Sequence, residues 1–248
     1  MARVGDVELC YETAGSGPPV VFISGTGGDL RQRPSVIEGP LVEHCTVLAY
    51  DQRGLGRSSK PDRPTTMAHY ADDAAGLLEG LGWSGAGVVG ASFGGMVAQE
   101  LAIRHPERVG PLVLCCTSSG GGGGSSYPLH ELEDLDADER LRTTLALSDL
   151  RYDREWQRAN PTEADAILDL MRARDSAAAA GPGAEVGARR QLEARRGHDT
   201  WDVWTRSARR PSSAPAGTTA LPRLRTVRRW PVASAMPVWR CSRVDTSS

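Results

Sequence analysis

At 248 residues the chain can bury one sizeable core, or a core plus a small cap, so one domain carrying an insertion is expected. Its formal net charge of −2 gives no reason to expect a nucleic-acid or other polyanion partner. No run of about 18 apolar residues occurs and the first residues hold no apolar leader, so no membrane contact and a soluble, cytoplasmic protein are expected. The five cysteines (Cys10, Cys45, Cys115, Cys116, Cys241) follow no Cys-x-x-Cys spacing and sit mostly in apolar runs. Reduced, buried thiols are expected of them, rather than disulfides or a metal set.

In chain order, Val7–Thr13 alternates as an edge strand does. Val20–Ile23 and Thr46–Tyr50 are continuous apolar runs, the pattern of strands covered on both faces. Met67–Leu81 places Tyr70, Ala74, Leu77, Leu78 and Leu81 on one helical face. Gly87–Val89 reads as a strand, Met96–His105 as a helix stopped by Pro106, and Val109–Cys116 as another strand. This alternation predicts the α/β class, with a mostly parallel sheet flanked by helices.

Chemistry is expected at one junction. Val88-Val89-Gly90-Ala91-Ser92-Phe93-Gly94-Gly95-Met96 is a strand, a Gly-x-Ser-x-Gly turn and a helix. So sharp a turn strains its serine, and side chains at the flanking positions would collide, hence Gly90 and Gly94. Ser92 then projects its hydroxyl at a helix N-terminus, where the dipole favours developing negative charge. A second loop, Ser24–Gly28, follows a buried strand, and its small residues let backbone N–H groups approach a substrate oxygen. The N–H groups of Thr26 and Phe93 together would form an oxyanion hole. The alternative for this loop is a phosphate cradle or a plain turn. A dinucleotide fingerprint is disfavoured: Leu30 stands where its third glycine belongs, and in Gly85–Gly90 the strand follows the first two glycines instead of preceding them.

Four segments in this order, Ser24–Gly28, Tyr50–Ser58, Gly90–Gly95 and His105–Val109, resemble landmarks of the α/β-hydrolase superfamily. The esterases, enol-lactonases and cofactor-free haloperoxidases are the most similar group, and the resemblance runs from residue 1 to about residue 202. It implies an α/β-hydrolase fold with an inserted helical lid, and a serine hydrolase of a small carboxylic ester or lactone, with no cofactor and no metal. Ser24 departs from the pattern, since many members carry His there, but the donor at this loop is backbone. Asp51 and Arg53 match loop residues that brace the turns near the site, and a structural ion-pair role is expected of them. The resemblance divides the chain into residues 1–117 as hydrolase core, 118–200 as lid and 201–248 as tail. The lid opens on Ser118–Ser126, a glycine-rich stretch expected to act as a flexible hinge, and holds helical periodicity over Leu141–Leu150 and Ala164–Arg174. His130 and His198, in the lid or at its exit, are expected to be solvated helix residues and not a catalytic base.

The tail breaks the pattern. A triad of this family runs Ser, then Asp or Glu, then His. Residues 203–248 contain no histidine, and Asp245 is their only carboxylate side chain. They are rich in Arg, Pro, Ser, Ala and Trp and show no strand or helix period, so the last strands of the fold are not expected from them. Read one base out of register, the same codons allow a strand, a loop acid at the Thr218/Thr219 junction, a helix, a second strand and a histidine at the Asp245/Thr246 junction. Asp followed by Thr permits only His or Tyr there. A frameshifted tail is therefore expected, with a divergent extension as the alternative. Two readings compete with an active hydrolase: a non-catalytic, hydrolase-like protein left by that frameshift or by decay, and a nucleic-acid-binding arm. The arm is suggested by nine arginines after residue 202, interleaved with Trp204, Trp230 and Trp239. Out-of-frame GC-rich codons produce Arg and Trp without selection for binding, which disfavours the arm.

Overall fold

A computed structural model describes residues 1–124, 127–179, 181–208, 223–226 and 242–245. Thr218, Thr219, Trp230, Trp239, Cys241, Thr246 and the side chain of His130 lie outside the described residues. The chain forms two units, Met1–Ser126 with Gly183–Ser248, and Tyr127–Pro182.

The first unit is built on a seven-stranded sheet. Its strands are β3 (Tyr11–Ala14), β4 (Pro19–Ile23), β5 (Thr46–Tyr50), β6 (Ala86–Ala91), β7 (Val109–Cys115), β8 (Arg223–Thr226) and β9 (Ser242–Asp245), in the order β3-β5-β4-β6-β7-β9-β8. The central pairs β5–β4, β4–β6 and β6–β7 are parallel, whereas β3, β9 and β8 join antiparallel to their neighbours. The expected Val7–Thr13 strand is interrupted: β2 (Val7–Leu9) forms a separate antiparallel hairpin with β1 (Ala2–Val4), and β3 takes over as the edge. β5 has the bounds its apolar run predicts, and Val47, Leu48, Ala49 and Tyr50 are all buried.

Helix α1 (Met67–Gly80) buries Met67, Tyr70, Ala71, Ala74, Leu77 and Leu78, the i, i+3, i+4, i+7 stripe of a helix against a core. Helix α2 (Phe93–Arg104) starts three residues before its sequence period does and ends ahead of Pro106. The two helices meet edge-on at Tyr70 and Phe93, with ring centroids 5.0 Å apart. Leu48, Leu77, Leu78, Leu101 and Leu112 are fully buried in this cluster, each contributing about 1.5–3 kcal/mol by leaving water.

One sequence expectation needs correction here. The glycine-rich stretch is not a free hinge over Gly120–Gly123. Thr200 N–H donates to the Ser119 carbonyl at 2.7 Å, and the indole of Trp201 lies where a Cβ on Gly122 would sit 2.8 Å from its Cδ1. Bare glycine backbone lets the ring pack flat on the turn. The described residues of the tail include one helix and two strands. Trp201–Ala208 is helix α7, burying Trp204 in the main core, and β9 and β8 cover the edge of β7. An open strand edge is a row of unpaired N–H and C=O groups that accepts any extended backbone, whatever its side-chain period. Both strands are antiparallel, so among the described residues no parallel strand follows β7.

The second unit is helical: α3 (Ala137–Ser148), α4 (Arg154–Ala159) and α5 (Pro161–Ala179), which contain the expected Leu141 and Ala164 periods. Leu141 and Leu145 of α3 pack on Leu168 of α5. Asp136 caps α3 by accepting from the N–H groups of Asp138 and Glu139, and Arg142 bridges Asp138 and Asp165 at 2.8 and 2.9 Å.

In the first unit Arg53 and Asp73 form a buried, two-pronged ion pair, both bonds 2.6 Å long, with Asp6 3.6 Å from the guanidinium. This ties the loop after β5 to α1, as expected of a bracing residue. Removing one charge strands the other in a dry site, so Asp73→Asn is expected to lower unfolding free energy by about 3–5 kcal/mol. Urea unfolding of the two proteins tests this, and a loss below about 1 kcal/mol would show that the pair does not brace the loop.

Candidate active site

Ser92 sits between β6 and α2 with φ 51° and ψ −115°. Only Cys116 shares a positive φ among the described non-glycine residues. Such a backbone costs on the order of 1–3 kcal/mol and persists only where its surroundings enforce it. The surroundings here are backbone. A Cβ on Gly94 would collide with the carbonyl oxygen of Ile23 and lie 2.5 Å from that of Ser24, and a Cβ on Gly90 would collide with the Gly94 carbonyl and come within 2.8 Å of Ala98 Cβ. The first turn of α2 is therefore pressed onto the end of β4. Ser92 N–H donates to the Cys115 carbonyl at 2.8 Å, which anchors the turn to β7 as well.

The loop after β4 runs against the serine. A Cβ on Gly25 would be 3.4 Å from Ser92 Cβ and from the Ala91 carbonyl oxygen, ordinary van der Waals contact, so the strand end lies directly against the serine. Thr26, the next residue, is exposed. Phe93 is the first residue of α2, where an N–H has no acceptor within the helix. The structure thus places Ser92 and Phe93 beside the loop that carries Gly25 and Thr26. Two residues at this loop were not legible in the sequence. Gln52 Nε2 donates to the Ser24 carbonyl at 2.8 Å, and Gly27 N–H donates to Gln191 Oε1 at 2.9 Å. Gln52 lies inside the Tyr50–Ser58 landmark, whose spacing gives it no role of its own, and Gln191 belongs to no motif. For Gln191 the only signal is its place on the buried Gly187-Gln191-Ala194 face of α6 (Ala184–Arg196).

Asp51 is structural, its two carboxylate oxygens accepting from the N–H groups of Leu30 (2.7 Å) and Arg57 (2.8 Å). Burial nevertheless raises its pKa above the usual carboxylate range.

Ser92 Oγ has no hydrogen-bond partner among the described residues. The histidines lie elsewhere. His105 Nε2 contacts Asp72 at 2.8 Å, an imidazole–carboxylate pair, but at the far end of α2, about 20 Å along the axis from Ser92 at 1.5 Å per residue. His69 accepts the Thr66 N–H in front of α1. His198 is not the solvated helix residue expected: it follows α6 in a loop and is buried, 7% exposed. Its Nδ1 lies 4.0 Å from Glu100, two helical turns and about 12 Å beyond Ser92, so it does not serve that hydroxyl. Among the described cysteines Cys10 is buried and Cys45 and Cys115 half-buried, all free thiols; Cys116 is exposed, against expectation, because β7 ends at Cys115. No three metal-ligating side chains cluster, and no helix is long and apolar enough to cross a membrane, among the described residues.

The sequence profile of the family described as alpha/beta hydrolase fold matches residues 18–168. The chain belongs to that family. It is 36% identical over 113 residues to a protein of Azorhizobium caulinodans named as a carbamate hydrolase, RutD, a match covering 46% of this chain and 42% of that one. A 2-hydroxymuconate semialdehyde hydrolase of a Pseudomonas species is 38% identical over 104 residues, covering 41% of this chain and 37% of that protein. The chain therefore spans well under half the length of these curated relatives. Among solved structures, the enol-lactonase of Burkholderia xenovorans LB400 superposes with a TM-score of 0.59 at 25% identity, over 80% of this chain and 74% of that one.

Burial pushes His198 down to about 4, and Ser118, Asp199 and Arg195 shift it less. In the unfolded chain the imidazole titrates near 6.5, so between about pH 6.5 and 4 the unfolded state holds the extra proton. Stability from this residue is complete above that window and is lost as pH falls through it. Relative to His198→Gln, the parent is expected to lose about 2–3 kcal/mol more unfolding free energy between pH 7 and pH 4.5. Equal losses in denaturant titrations at the two pH values would show that His198 titrates normally.

Proposed function

We propose that Ser92 is the nucleophile of a serine hydrolase for a small carboxylic ester or lactone. Ser92 Oγ attacks the substrate carbonyl, and the displaced electron pair settles on an oxygen held by the N–H groups of Phe93 and Thr26. The observation that carries this reading is the strained Ser92 backbone between β6 and α2, beside a Gly25 turn on which a Cβ would touch Ser92 Cβ at 3.4 Å. The relatives named as an enol-lactonase and a hydrolase lend support.

The tail as encoded leaves this site without its acid and base. No described imidazole reaches Ser92, and a serine that keeps its proton is a weak nucleophile. A reading frame shifted by one base after Asp202 allows an acid and a histidine in the family's order, which favours a frameshifted copy of an active enzyme. The chain then binds small esters without turning them over, the behaviour of a non-catalytic hydrolase-like protein.

Stoichiometric labelling separates the nucleophile from turnover. At pH 9, where hydroxide partly replaces the missing base, a fluorophosphonate is expected to add to Ser92 within hours, with no adduct in Ser92→Ala by mass spectrometry. Hydrolysis of an activated aryl ester at pH 7 is expected to be the same for both proteins. Equal labelling of the two would remove Ser92 from its role, and ester turnover well above that of Ser92→Ala would reveal a base that the site as described lacks.

A further inference from the structure

The Ser24–Gly27 loop is held one peptide plane at a time. In a trans peptide the C=O and N–H point in opposite directions, so fixing one fixes the other. The Ser24–Gly25 plane is fixed at its carbonyl by Gln52 Nε2 (2.8 Å). The Gly25–Thr26 plane is fixed at its carbonyl by Gly28 N–H (3.1 Å), which turns Thr26 N–H away from the inside of the turn. The Thr26–Gly27 plane is fixed at its N–H by Gln191 Oε1 (2.9 Å), and Gly27 adopts φ 70°, which suits glycine. The proposed oxyanion donor is thus the N–H of the middle plane, clamped on both sides.

Both clamping side chains are fully buried, and each leaves half of its amide, Gln52 Oε1 and Gln191 Nε2, without a partner. A buried unpaired amide atom is unfavourable, and both glutamines direct their side-chain bonds among the described residues to one task, holding this loop. Helix α6 is seated to perform that task. Gly187 meets Gly54 backbone to backbone, where a Cβ on Gly54 would lie 2.9 Å from Gly187 Cα, and Arg190 reaches Asp62 at 2.8 Å. Gly187, Arg190, Gln191 and Ala194 share one face of the helix, so the depth set by the paired glycines also sets where Gln191 Oε1 ends.

We infer that Gln191, acting with Gln52, is a positioning residue that aims the Thr26 N–H at the oxygen of a Ser92-bound tetrahedral centre. This rests on Thr26 being the oxyanion donor of the proposed hydrolase. The side chain acts as a hydrogen-bond acceptor, so Gln191→Met removes the function at nearly constant volume, and Gln191→Glu, neutral when buried, keeps an acceptor carbonyl.

Amide hydrogen exchange and Ser92 phosphonylation are measured on the full-length chain and both variants. In Gln191→Met, Gly27 exchange is expected to accelerate at least ~10-fold while the α6 and β6 amides keep their protection, and phosphonylation is expected to slow at least ~10-fold. Gln191→Glu should return both rates to within ~3-fold of the parent. Unchanged Gly27 protection in Gln191→Met overturns the clamp, and lost protection with unchanged phosphonylation overturns its bearing on the reaction. If α6 itself melts in that variant, Gln191→Glu decides: unprotected Gly27 with an intact α6 overturns the inference. A parent chain that takes no label at Ser92 refutes the nucleophile, and Gly27 exchange then judges the clamp by itself.

Discussion

The close approach of α2 to the end of β4 organises the whole of the first unit. At Gly94 the helix backbone leaves no space for a Cβ against the carbonyls of Ile23 and Ser24. That contact forces the chain to reverse within one residue after β6, and Ser92 absorbs the reversal with φ 51°. The strain is held by parallel pairing on both sides, since β6 bonds to β4 and to β7. The same proximity brings Gly25 against Ser92, so one packing constraint creates the strained serine and its neighbouring loop together.

A second layer keeps that arrangement rigid. The segment after β5 works as a hub: Asp51 holds the amides of Leu30 and Arg57, Gln52 holds Ser24, and Arg53 holds Asp73 of α1. Helix α6 rests on the hub through Gly187 and Gly54 and returns to the loop through Gln191. Most of these partners are backbone groups or buried charges, whose geometry tolerates little displacement. The nucleophile's loop is therefore supported by residues distant in sequence, from β5 to α6.

Much of this was legible beforehand, for identifiable reasons. β5 is buried throughout, so its apolar run needed no alternation to be found, and Gly90 and Gly94 declared a turn that only glycine permits. α2 was read three residues short because Gly94 and Gly95 are poor helix formers, included in the helix by packing and not by propensity. The glycine stretch before the second unit was read as mobile because composition does not reveal the Trp201 indole that lies on it. Gln52 stands inside the Tyr50–Ser58 landmark without a role that its spacing reveals, and Gln191 is a lone glutamine with no period of its own. His198 was placed in solvent because burial of a loop residue depends on contacts, here with the segments of Glu100 and Ser118.

The tail is where pattern and family diverge. β9 and β8 pair along the sheet edge at β7, without bringing a carboxylate and an imidazole to Ser92 among the described residues. Lost acid–base chemistry of this kind commonly leaves only about 10³–10⁴-fold acceleration over water from the oxyanion hole and binding. The most direct measurement compares aryl-ester turnover of the encoded chain with that of a chain whose frame is shifted by one base after the Asp202 codon. A gain of at least ~10³-fold that disappears with Ser92→Ala is the predicted result. A frame-shifted chain that folds and stays at the encoded chain's rate would contradict the account.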